Sequence, residues 1–222
     1  MTKQILCITY RDWALKLYKM LPHALPEYNF KIIFNTGRYG IDEDQFKTFQ
    51  PDIILFYGWS WIVAPHLVEQ YDCICLHPSP LPRYRGGSPL QNQIINGERN
   101  SAVTIFKMSD GLDEGDIIRQ TPMSLSGNIE DIFSRMTTLG FSATCDFLKN
   151  GYNLQPQDHS LATVFKRRKP ADSEITLDEI QNQTREYIYN KIRMLTPPYP
   201  NAFIKDKDGK RLYITSAHTD GN

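Results

Sequence analysis

The chain has 222 residues, a length that suits one hydrophobic core or one domain with a small appendage. Lysine plus arginine and aspartate plus glutamate balance at 25 each, so no overall electrostatic field directs the protein to nucleic acid or membranes. Its four cysteines lie in apolar runs, as reduced thiols do. The longest apolar stretch, IILFYGWSWIVAP, is shorter than the ~20 residues that span a bilayer. With no cleavable signal at the N-terminus, we expect a soluble cytoplasmic protein.

The first part of the chain alternates strand and helix patterns. Continuous apolar runs, typical of strands covered on both faces, predict strands at 3–10, 28–35, 51–58 and 73–79. The segments between them predict helices at 11–21, 42–49 and 64–70. Repetition of strand, helix and strand predicts an α/β fold with a mostly parallel sheet and helices on both faces.

The remaining elements continue this pattern and then change character. The sequence predicts a helix near 88–97, strands at 102–108 and 117–125, and a long helix at about 128–150. The charged, proline-containing stretch 152–175 predicts a linker, and Thr176 with Glu179 predicts the capped start of a second helix. Asp208 and Gly209 predict a hairpin turn. We therefore expect a catalytic domain at 1–151 and an appendage of linker, helix and β-hairpin at 152–222.

The stretch CICLHPSPLPRYRGGSP, residues 73–89, is the most unusual part of the sequence. Ligands of open parallel sheets bind beyond the carboxyl ends of the strands, where His77 is predicted to lie. Pro78 favours an extended His77, and Pro80 and Pro82 stiffen the loop that follows. An isolated histidine is more often a core residue. Both interpretations, a site histidine and a core histidine, therefore stay open at this point.

Metal and nucleotide chemistry find little support in the sequence. Cys73, Cys75 and His77 alternate along one strand, which places the outer two ~13 Å apart, too far for one zinc ion. The acidic loop SDGLDEGD at 109–116 lacks the spacing of a calcium-binding EF-hand. No glycine-rich dinucleotide loop, phosphate-binding loop or serine-hydrolase elbow is present. We therefore expect no metal site.

Two segments together resemble a known family. LHPSPLPRYRGGSPLQNQIINGE followed by AVTIFKMSDGLDEGDII resembles the core of the folate-dependent formyltransferases, over roughly 51–120. This resemblance implies a Rossmann-like formyltransferase core and 10-formyltetrahydrofolate as formyl donor. The family's catalytic set is an asparagine and a histidine two residues apart, with an aspartate in a later loop. His77 and Asp113 match the last two, whereas Cys75 stands at the asparagine position, where a thiol is only a weak donor.

The resemblance also implies roles for these residues. Protonated His77 would stabilise negative charge on the formyl oxygen, and Asp113 would sustain the imidazolium and help to pass a proton. Folate contacts are expected at Ser60, Trp61, Ile62, Val63, Ser79, Pro80, Leu81, Pro82, Ser109, Asp110, Gly111 and Leu112. By composition alone, Trp59 and Trp61 fit core aromatics equally well. Acceptor contacts are expected at Tyr10, Arg11, Trp13, Tyr84 and Arg85, with Arg167 and Arg168 as further candidates. Helix packing explains Trp13 equally well.

The C-terminal part of the sequence helps to predict which molecule accepts the formyl group. RRKPADSEI and IRMLTPPYPNAF resemble stretches of sugar-nucleotide N-formyltransferases, whereas methionyl-tRNA formyltransferases carry a larger tRNA-binding domain than the about 70 residues present here. Binding of tRNA also demands a basic surface. We therefore predict formylation of a nucleotide-linked amino sugar, a dTDP-4-amino-4,6-dideoxyhexose, for O-antigen and lipopolysaccharide synthesis. No nucleic-acid or membrane partner is expected, and a homodimer is one assembly that the sequence allows. The alternatives are a methionyl-tRNA or other formyltransferase, and a catalytically silent folate- or sugar-nucleotide-binding module.

Overall fold

A computed structural model describes residues 2–34 and 42–220. Its strands are β1 (Gln4–Thr9), β2 (Asn29–Phe34), β3 (Ile53–Tyr57), β4 (Asp72–His77), β5 (Arg85–Gly86), β6 (Asn100–Lys107), β7 (Ile117–Ser124), β8 (Val164–Phe165), β9 (Ala202–Lys205) and β10 (Arg211–Ile214). Within the described residues, one six-stranded sheet has the order β2-β1-β3-β4-β6-β7. The pairs among β1 to β4 are parallel, and β6 and β7 join antiparallel. The predicted α/β fold with a mostly parallel sheet is confirmed.

Helices cover both faces of this sheet. They are α1 (Asp12–Ala24), α2 (Asp44–Phe49), α3 (Pro65–Gln70), α4 (Pro89–Ile95), α5 (Ile129–Asn150), α6 (Leu177–Asn182) and α7 (Arg185–Arg193). The long helix α5 begins where Asn128 accepts hydrogen bonds from the backbone N–H groups of Glu130 and Asp131, a capping box. None of the helices in the described ranges is both long and apolar enough to cross a bilayer.

The apolar strands divide their side chains between two cores. Ile5 and Cys7 of β1 belong to the larger core, with Leu17 of α1 and Met136 of α5. Their neighbours on β1 belong to a smaller core on the opposite face, which includes Phe46 of α2. Because successive strand residues point to opposite faces, a sheet buried on both sides needs apolar residues at every position. This requirement explains the continuous apolar runs in the sequence.

The stretch 152–175 is not a free linker. Its strand β8 pairs parallel with β5, and the backbone N–H groups of Arg85 and Gly87 donate to the carbonyls of Thr163 and Phe165, both at 2.8 Å. Sequence reasoning missed this strand because two residues carry no detectable period. The stretch therefore packs directly on the turn that follows the site histidine.

The C-terminal elements also join the main core. Buried residues of this part belong to the same cluster as the sheet, among them Ile175, Ile192, Met194 and Ala202. The single predicted helix is two, α6 and α7, and the hairpin of β9 and β10 turns at Gly209, as predicted. The division at residue 151 stays a prediction.

Candidate active site

His77 is the last residue of β4, and both of its ring nitrogens face acceptors. Its Nε2 lies 2.8 Å from the carbonyl oxygen of Tyr84, and its Nδ1 lies 3.5 Å from Oδ2 of Asp113. A carbonyl oxygen only accepts, so Nε2 carries a proton and donates it there. A carboxylate also only accepts, and only the imidazolium form has a second N–H to turn toward Asp113. Both ring nitrogens therefore lie near acceptors, and the charge-stabilising role of His77 stays a prediction.

Asp113 lies in the acidic loop and is held by hydrogen bonds from Gly86 and Gln157, which lie outside that loop. It has a left-handed backbone, with φ of 53°, and its Oδ2 accepts the N–H of Gly86 at 2.8 Å. Its own carbonyl accepts from Nε2 of Gln157 at 2.9 Å. Two residues later, a Cβ on Gly115 would lie 1.7 Å from the carbonyl oxygen of Lys107, so only glycine fits. The loop therefore has one tightly determined path, which brings Asp113 to His77.

The proline-rich loop after His77 is anchored from within the protein. Ser79 is buried; its hydroxyl donates to the carbonyl of Arg83 at 2.8 Å, and its carbonyl accepts from Thr104 at 2.6 Å. Leu81 is buried as well, and the bond from Leu81 to Pro82 is cis. The folate contacts expected at Ser79 and Leu81 stay a prediction, and the burial of both side chains leaves the loop backbone as the accessible part. Pro80 and Pro82 stay partly exposed.

The side chains of Tyr84 and Arg85, at the start of the turn that contains Gly86 and Gly87, are buried inside the protein. Arg85 is 2% exposed, and its guanidinium group contacts Gln157 and Glu114. Tyr84 is buried, with its ring stacked on that of Phe165 at 4.9 Å. Both side chains point into the protein, and the acceptor contact of Tyr84 and Arg85 stays a prediction.

The two glycines of this turn are required by the close approach of β8. A Cβ on Gly86 would lie 2.4 Å from the carbonyl oxygen of Phe165, and one on Gly87 would lie 2.4 Å from Cα of Arg167. Both neighbours are backbone atoms, which cannot rotate away as a side chain can. The unusual Arg-Gly-Gly sequence thus follows from a long-range strand pairing.

An aromatic wall, defined as Tyr10, Trp59 and Trp61, lies at the same carboxyl edge of the sheet, beyond β1 and β3. The ring of Trp61 lies 4.6 Å from that of Tyr10 and 4.7 Å from that of Trp59. The Tyr10 hydroxyl donates to Oγ of Ser60, and the indole N–H of Trp59 is buried without a partner among the described residues. Ile62 next to it is 91% exposed. These features suit the docking of a flat ligand with apolar and hydrogen-bonding parts.

The other residues predicted to contact folate divide between surface and interior. Val63 is buried in the smaller core. Ser109 and Asp110 are exposed on the acidic loop, as is Leu112, and Gly111 lies tightly against the side chain of Glu114. Leu112 therefore joins Ile62 as an exposed apolar side chain of the loops at this edge.

A second group, called here the cationic cluster, contains Arg11, Arg167, Tyr199 and Gln91. The guanidinium carbon of Arg11 lies 4.6 Å from the Tyr10 ring centre and 5.7 Å from that of Tyr199, and Arg167 donates to the carbonyl of Ser60 at 2.9 Å. Burial raises the pKa of Tyr199, while Gln91 and the two arginines oppose this shift. Cationic and donor groups thus converge on one place.

Two further candidates lie outside this cluster. Trp13 packs on the larger core, and its ring would lie 3.2 Å from a Cβ on Gly58. This position agrees with helix packing, the alternative for Trp13, and its acceptor contact stays a prediction. Arg168 donates to the carbonyl of Asp172 at 2.9 Å, which turns it toward its own segment.

Cys75 lies on the same face of β4 as His77. Burial raises the pKa of its thiol well above the ordinary value, and the negative charge of Asp113 adds to this effect. The sulfur therefore stays protonated at neutral pH and provides only a weak hydrogen-bond donor. Across the described part of the chain, no group of three or more His, Cys, Asp and Glu side chains is arranged to hold a metal ion.

The geometry can now be compared with known proteins. Residues 42–138 match the model of a family described as formyl transferase. A solved structure titled methionyl-tRNA formyltransferase from Clostridium thermocellum is 34% identical, with a TM-score of 0.88, over 99% of this chain and 95% of that one. This chain belongs to the formyltransferase family. The predicted membership is therefore confirmed.

The sequence predicted a resemblance to sugar-nucleotide N-formyltransferases in particular, but methionyl-tRNA formyltransferases match this chain at higher identity. A methionyl-tRNA formyltransferase of Ehrlichia ruminantium is 34% identical over 180 residues, 79% of this chain and 57% of the relative. This formyltransferase thus spans little more than half the length of the first curated relatives that it matches. A sugar N-formyltransferase from Shewanella shares 18% identity with a TM-score of 0.77, which demonstrates a common fold alone.

Sequence reasoning missed three residues of this site. Gln157 was assigned to a linker, and Gln91 was only part of a predicted helix. Tyr199 lies in TPPYPNAF, which was noted as a resemblance without a role for any single residue. A buried glutamine has no local signal, because its importance depends on partners far away in the chain.

Proposed function

We propose that this formyltransferase transfers a formyl group from 10-formyltetrahydrofolate to a primary amine. The observation that carries the proposal is the pairing of His77 with Asp113 at 3.5 Å, at the end of a central strand. His77 side-chain exposure is 8% and that of Asp113 is 17%, so solvent screens their interaction weakly. Charge stabilisation in such a water-poor site accelerates acyl transfer.

The residues present fit a reduced folate. The aromatic wall offers faces for a flat heterocycle, and the unpartnered N–H of Trp59 is a donor that a polar ligand atom would satisfy. Ile62 and Leu112 are exposed apolar side chains at the same edge. Tyr10, Trp59 and Trp61 would therefore hold the donor, which supplies the formyl group when bound.

The roles of the catalytic pair follow from their hydrogen-bond capacity. The imidazolium of His77 stabilises the negative charge that develops on the formyl oxygen, while the carbonyl of Tyr84 fixes the ring through Nε2. The Asp113 carboxylate sustains the charged ring. It is also the more exposed partner, so it is placed to accept the proton that the attacking amine loses. The same proton would pass to N10 of the donor as the bond between N10 and the formyl carbon breaks. Cys75 contributes only a weak donor, so His77 bears most of the charge stabilisation.

The first acceptor we propose is methionyl-tRNA. Two relatives with this printed activity are 34% identical to the chain, against 18% for the sugar N-formyltransferase from Shewanella. The cationic cluster supports an acceptor that carries phosphate, because the guanidinium groups of Arg11 and Arg167 can pair with phosphate oxygens.

A second candidate acceptor is a nucleotide-linked amino sugar such as a dTDP-4-amino-4,6-dideoxyhexose, used for surface polysaccharide. The observation in its favour is the balance of 25 basic and 25 acidic residues, since a tRNA-binding surface is normally strongly basic. A diphosphate needs only a local group of donors, and the cationic cluster has that size.

The test incubates the protein with 10-formyltetrahydrofolate and either initiator methionyl-tRNA or the dTDP amino sugar. Mass spectrometry then detects a gain of one formyl group on the acceptor. A formamide on tRNA supports the first candidate, and one on the sugar nucleotide supports the second. Formylation of neither, in a folded protein that binds folate, would contradict the proposal and favour a catalytically silent module.

Matched variants separate the acceptor site from the catalytic pair. Arg11→Gln is expected to raise the acceptor KM about tenfold or more with kcat little changed, because it removes one charge-assisted contact. Arg99→Gln is the control, since Arg99 is 81% exposed and pairs only with Glu186 at 3.5 Å. An unchanged acceptor KM in Arg11→Gln would remove the cationic cluster from the acceptor site.

A further inference from the structure

Gln157 lies between two segments of the site. It is 5% exposed, although its neighbours on either side are exposed. Its amide nitrogen donates to the carbonyl of Asp113 at 2.9 Å and to that of Gly115 at 2.7 Å. Its amide oxygen accepts from Nε and Nη2 of Arg85, at 3.2 and 2.8 Å. Every donor and both lone pairs of the amide are therefore used.

Arg85 completes the same arrangement. Its guanidinium group is 2% exposed, and its Nη1 lies 3.2 Å from Oε1 of Glu114, the residue after Asp113. A charge this deeply buried is stable only with hydrogen-bonded partners, and removal of one partner leaves an expensive unpaired group. Gln157 and Glu114 supply these partners, together with Nδ1 of His159, which lies 3.4 Å from both terminal nitrogens of the guanidinium group.

These contacts connect the two halves of the catalytic pair. The carbonyl of Tyr84 accepts a hydrogen bond from Nε2 of His77, and the backbone N–H of Gly86 donates a hydrogen bond to Oδ2 of Asp113. Gln157 holds Asp113 on one side and Arg85, in the middle of that turn, on the other. A displacement of either segment would therefore change the distance between the His77 ring and the Asp113 carboxylate.

We propose that Gln157 is a positioning residue, which with Arg85 holds Asp113 in register with His77. The catalytic consequence rests on the proposed function, whereas the positioning itself does not. The stretch 152–163, which leads from α5 to β8, is thereby part of the machinery of the site. A merely structural buried amide would stabilise the fold without a specific link to Asp113.

The first experiment compares Gln157→Leu with Gln155→Leu. Gln155 is the matched control, because it lies two residues earlier, is exposed, and contacts β7 through its backbone at Ile117. Gln157→Leu is expected to lower kcat about tenfold to a hundredfold with the folate KM nearly unchanged, since ~1 Å of misplacement has that effect. Gln155→Leu is expected to keep the wild-type kcat. Equal kcat in both folded variants would overturn the proposal.

A second variant keeps the test valid if Gln157→Leu does not fold. Gln157→Glu has almost the same shape and can still pair with Arg85, but it loses both donations to the carbonyls of Asp113 and Gly115. It is expected to fold and to lower kcat in the same range. Full kcat in Gln157→Glu would show that the two donations do not position Asp113.

A double-mutant cycle distinguishes positioning from general stability. If Gln157 acts through Asp113, then Gln157→Leu has little further effect on kcat in an Asp113→Asn background. Two independent roles would give additive losses in the logarithm of kcat. Additivity would therefore overturn the proposal even if the single variants were slow.

An activity-independent measurement covers the case in which the proposed function fails. Asp113 accepts the Gly86 N–H, so hydrogen exchange at Gly86 reports the position of Asp113. In folded Gln157→Glu, this amide is expected to exchange at least tenfold faster than in wild type and in Gln155→Leu. Unchanged exchange would overturn the positioning role. Absence of formyl transfer in wild type, with the exchange difference intact, would overturn only the proposed function.

Discussion

Substitution of Gly115 by alanine tests how strictly the acidic loop determines the site. The added Cβ would lie 1.7 Å from the carbonyl oxygen of Lys107, and real Cβ atoms essentially never approach closer than 3.0 Å. The loop and β6 must therefore separate by about 1.3 Å or more. Both obstructing groups are backbone, so no side-chain rotation relieves the contact. Because Gly115 lies two residues after Asp113, this displacement is expected to reach the carboxylate.

The expected effect on turnover follows from that displacement. Misplacement by ~1 Å costs about a hundredfold in rate, which corresponds to about 2.7 kcal/mol of activation free energy. The overpacked contact is expected to lower the free energy of unfolding by about 1–3 kcal/mol. Gly115→Ala should therefore remain folded while its kcat falls.

The assay combines formyl transfer to the accepted amine, thermal unfolding, and folate binding followed by tryptophan fluorescence. Gly97→Ala is the control, since φ of 80° strains an alanine but no atom lies within 4 Å of its Cβ. It is expected to cost about 1–2 kcal/mol of unfolding free energy without an effect on kcat. A folded Gly115→Ala protein with wild-type kcat would refute the claim that the loop positions Asp113.

Three further predictions concern charge and protonation. His77→Asn is expected to lower kcat by at least about a hundredfold while folate binding, measured by fluorescence, is retained; a wild-type kcat would disprove the charge-stabilising role. Burial raises the pKa of all four cysteine thiols, so at pH 8 the native protein should be alkylated far more slowly than the unfolded chain, as mass spectrometry can show; equal rates would contradict this burial. Burial is the largest single influence on the Glu179 carboxyl and raises its pKa. The hydrogen bonds from Lys191, Thr176 and Tyr187, together with the charge of Lys191, outweigh burial, so the pKa is lowered from 4.5. The unfolded chain therefore binds protons more readily, and this contribution to stability is present above pH 4.5 and lost below it. In Glu179→Gln the unfolding free energy at pH 7 should fall by about 1–3 kcal/mol, with a flatter acid profile; an unchanged profile would refute the pairing.

Elements with strong periodicity were predictable from sequence. The apolar runs of β1, β3 and β4 predicted strands to within two residues, and α5 was predicted almost to its ends. These elements are long or buried on both faces, so their patterns are locally complete. The two-residue strand β8 had no such pattern, and its partner β5 lies about 80 residues earlier.

The candidate site was only partly accessible to sequence reasoning. His77 and Asp113 were predicted through a family resemblance, and the structure places their side chains beside each other. Tyr84 and Arg85 were predicted to contact the acceptor, and the structure shows both side chains buried. Arginine is seldom buried without partners, so its burial could not be expected from the sequence. The buried guanidinium group is stabilised by hydrogen bonds with Gln157 and by an ion pair with Glu114. No local sequence pattern indicates these partners.

The sequence by itself determined the layered α/β architecture. A sheet covered on both faces requires continuous runs of apolar residues, and such runs are local features of the sequence. It also determined that a titratable residue ends a central strand and leads into a stiff loop. Only the tertiary structure decided which polar side chains serve a ligand and which serve the fold. The orientation of a charged or amide side chain depends on the partners that satisfy its hydrogen bonds, and for Arg85 and Gln157 those partners come from distant parts of the chain.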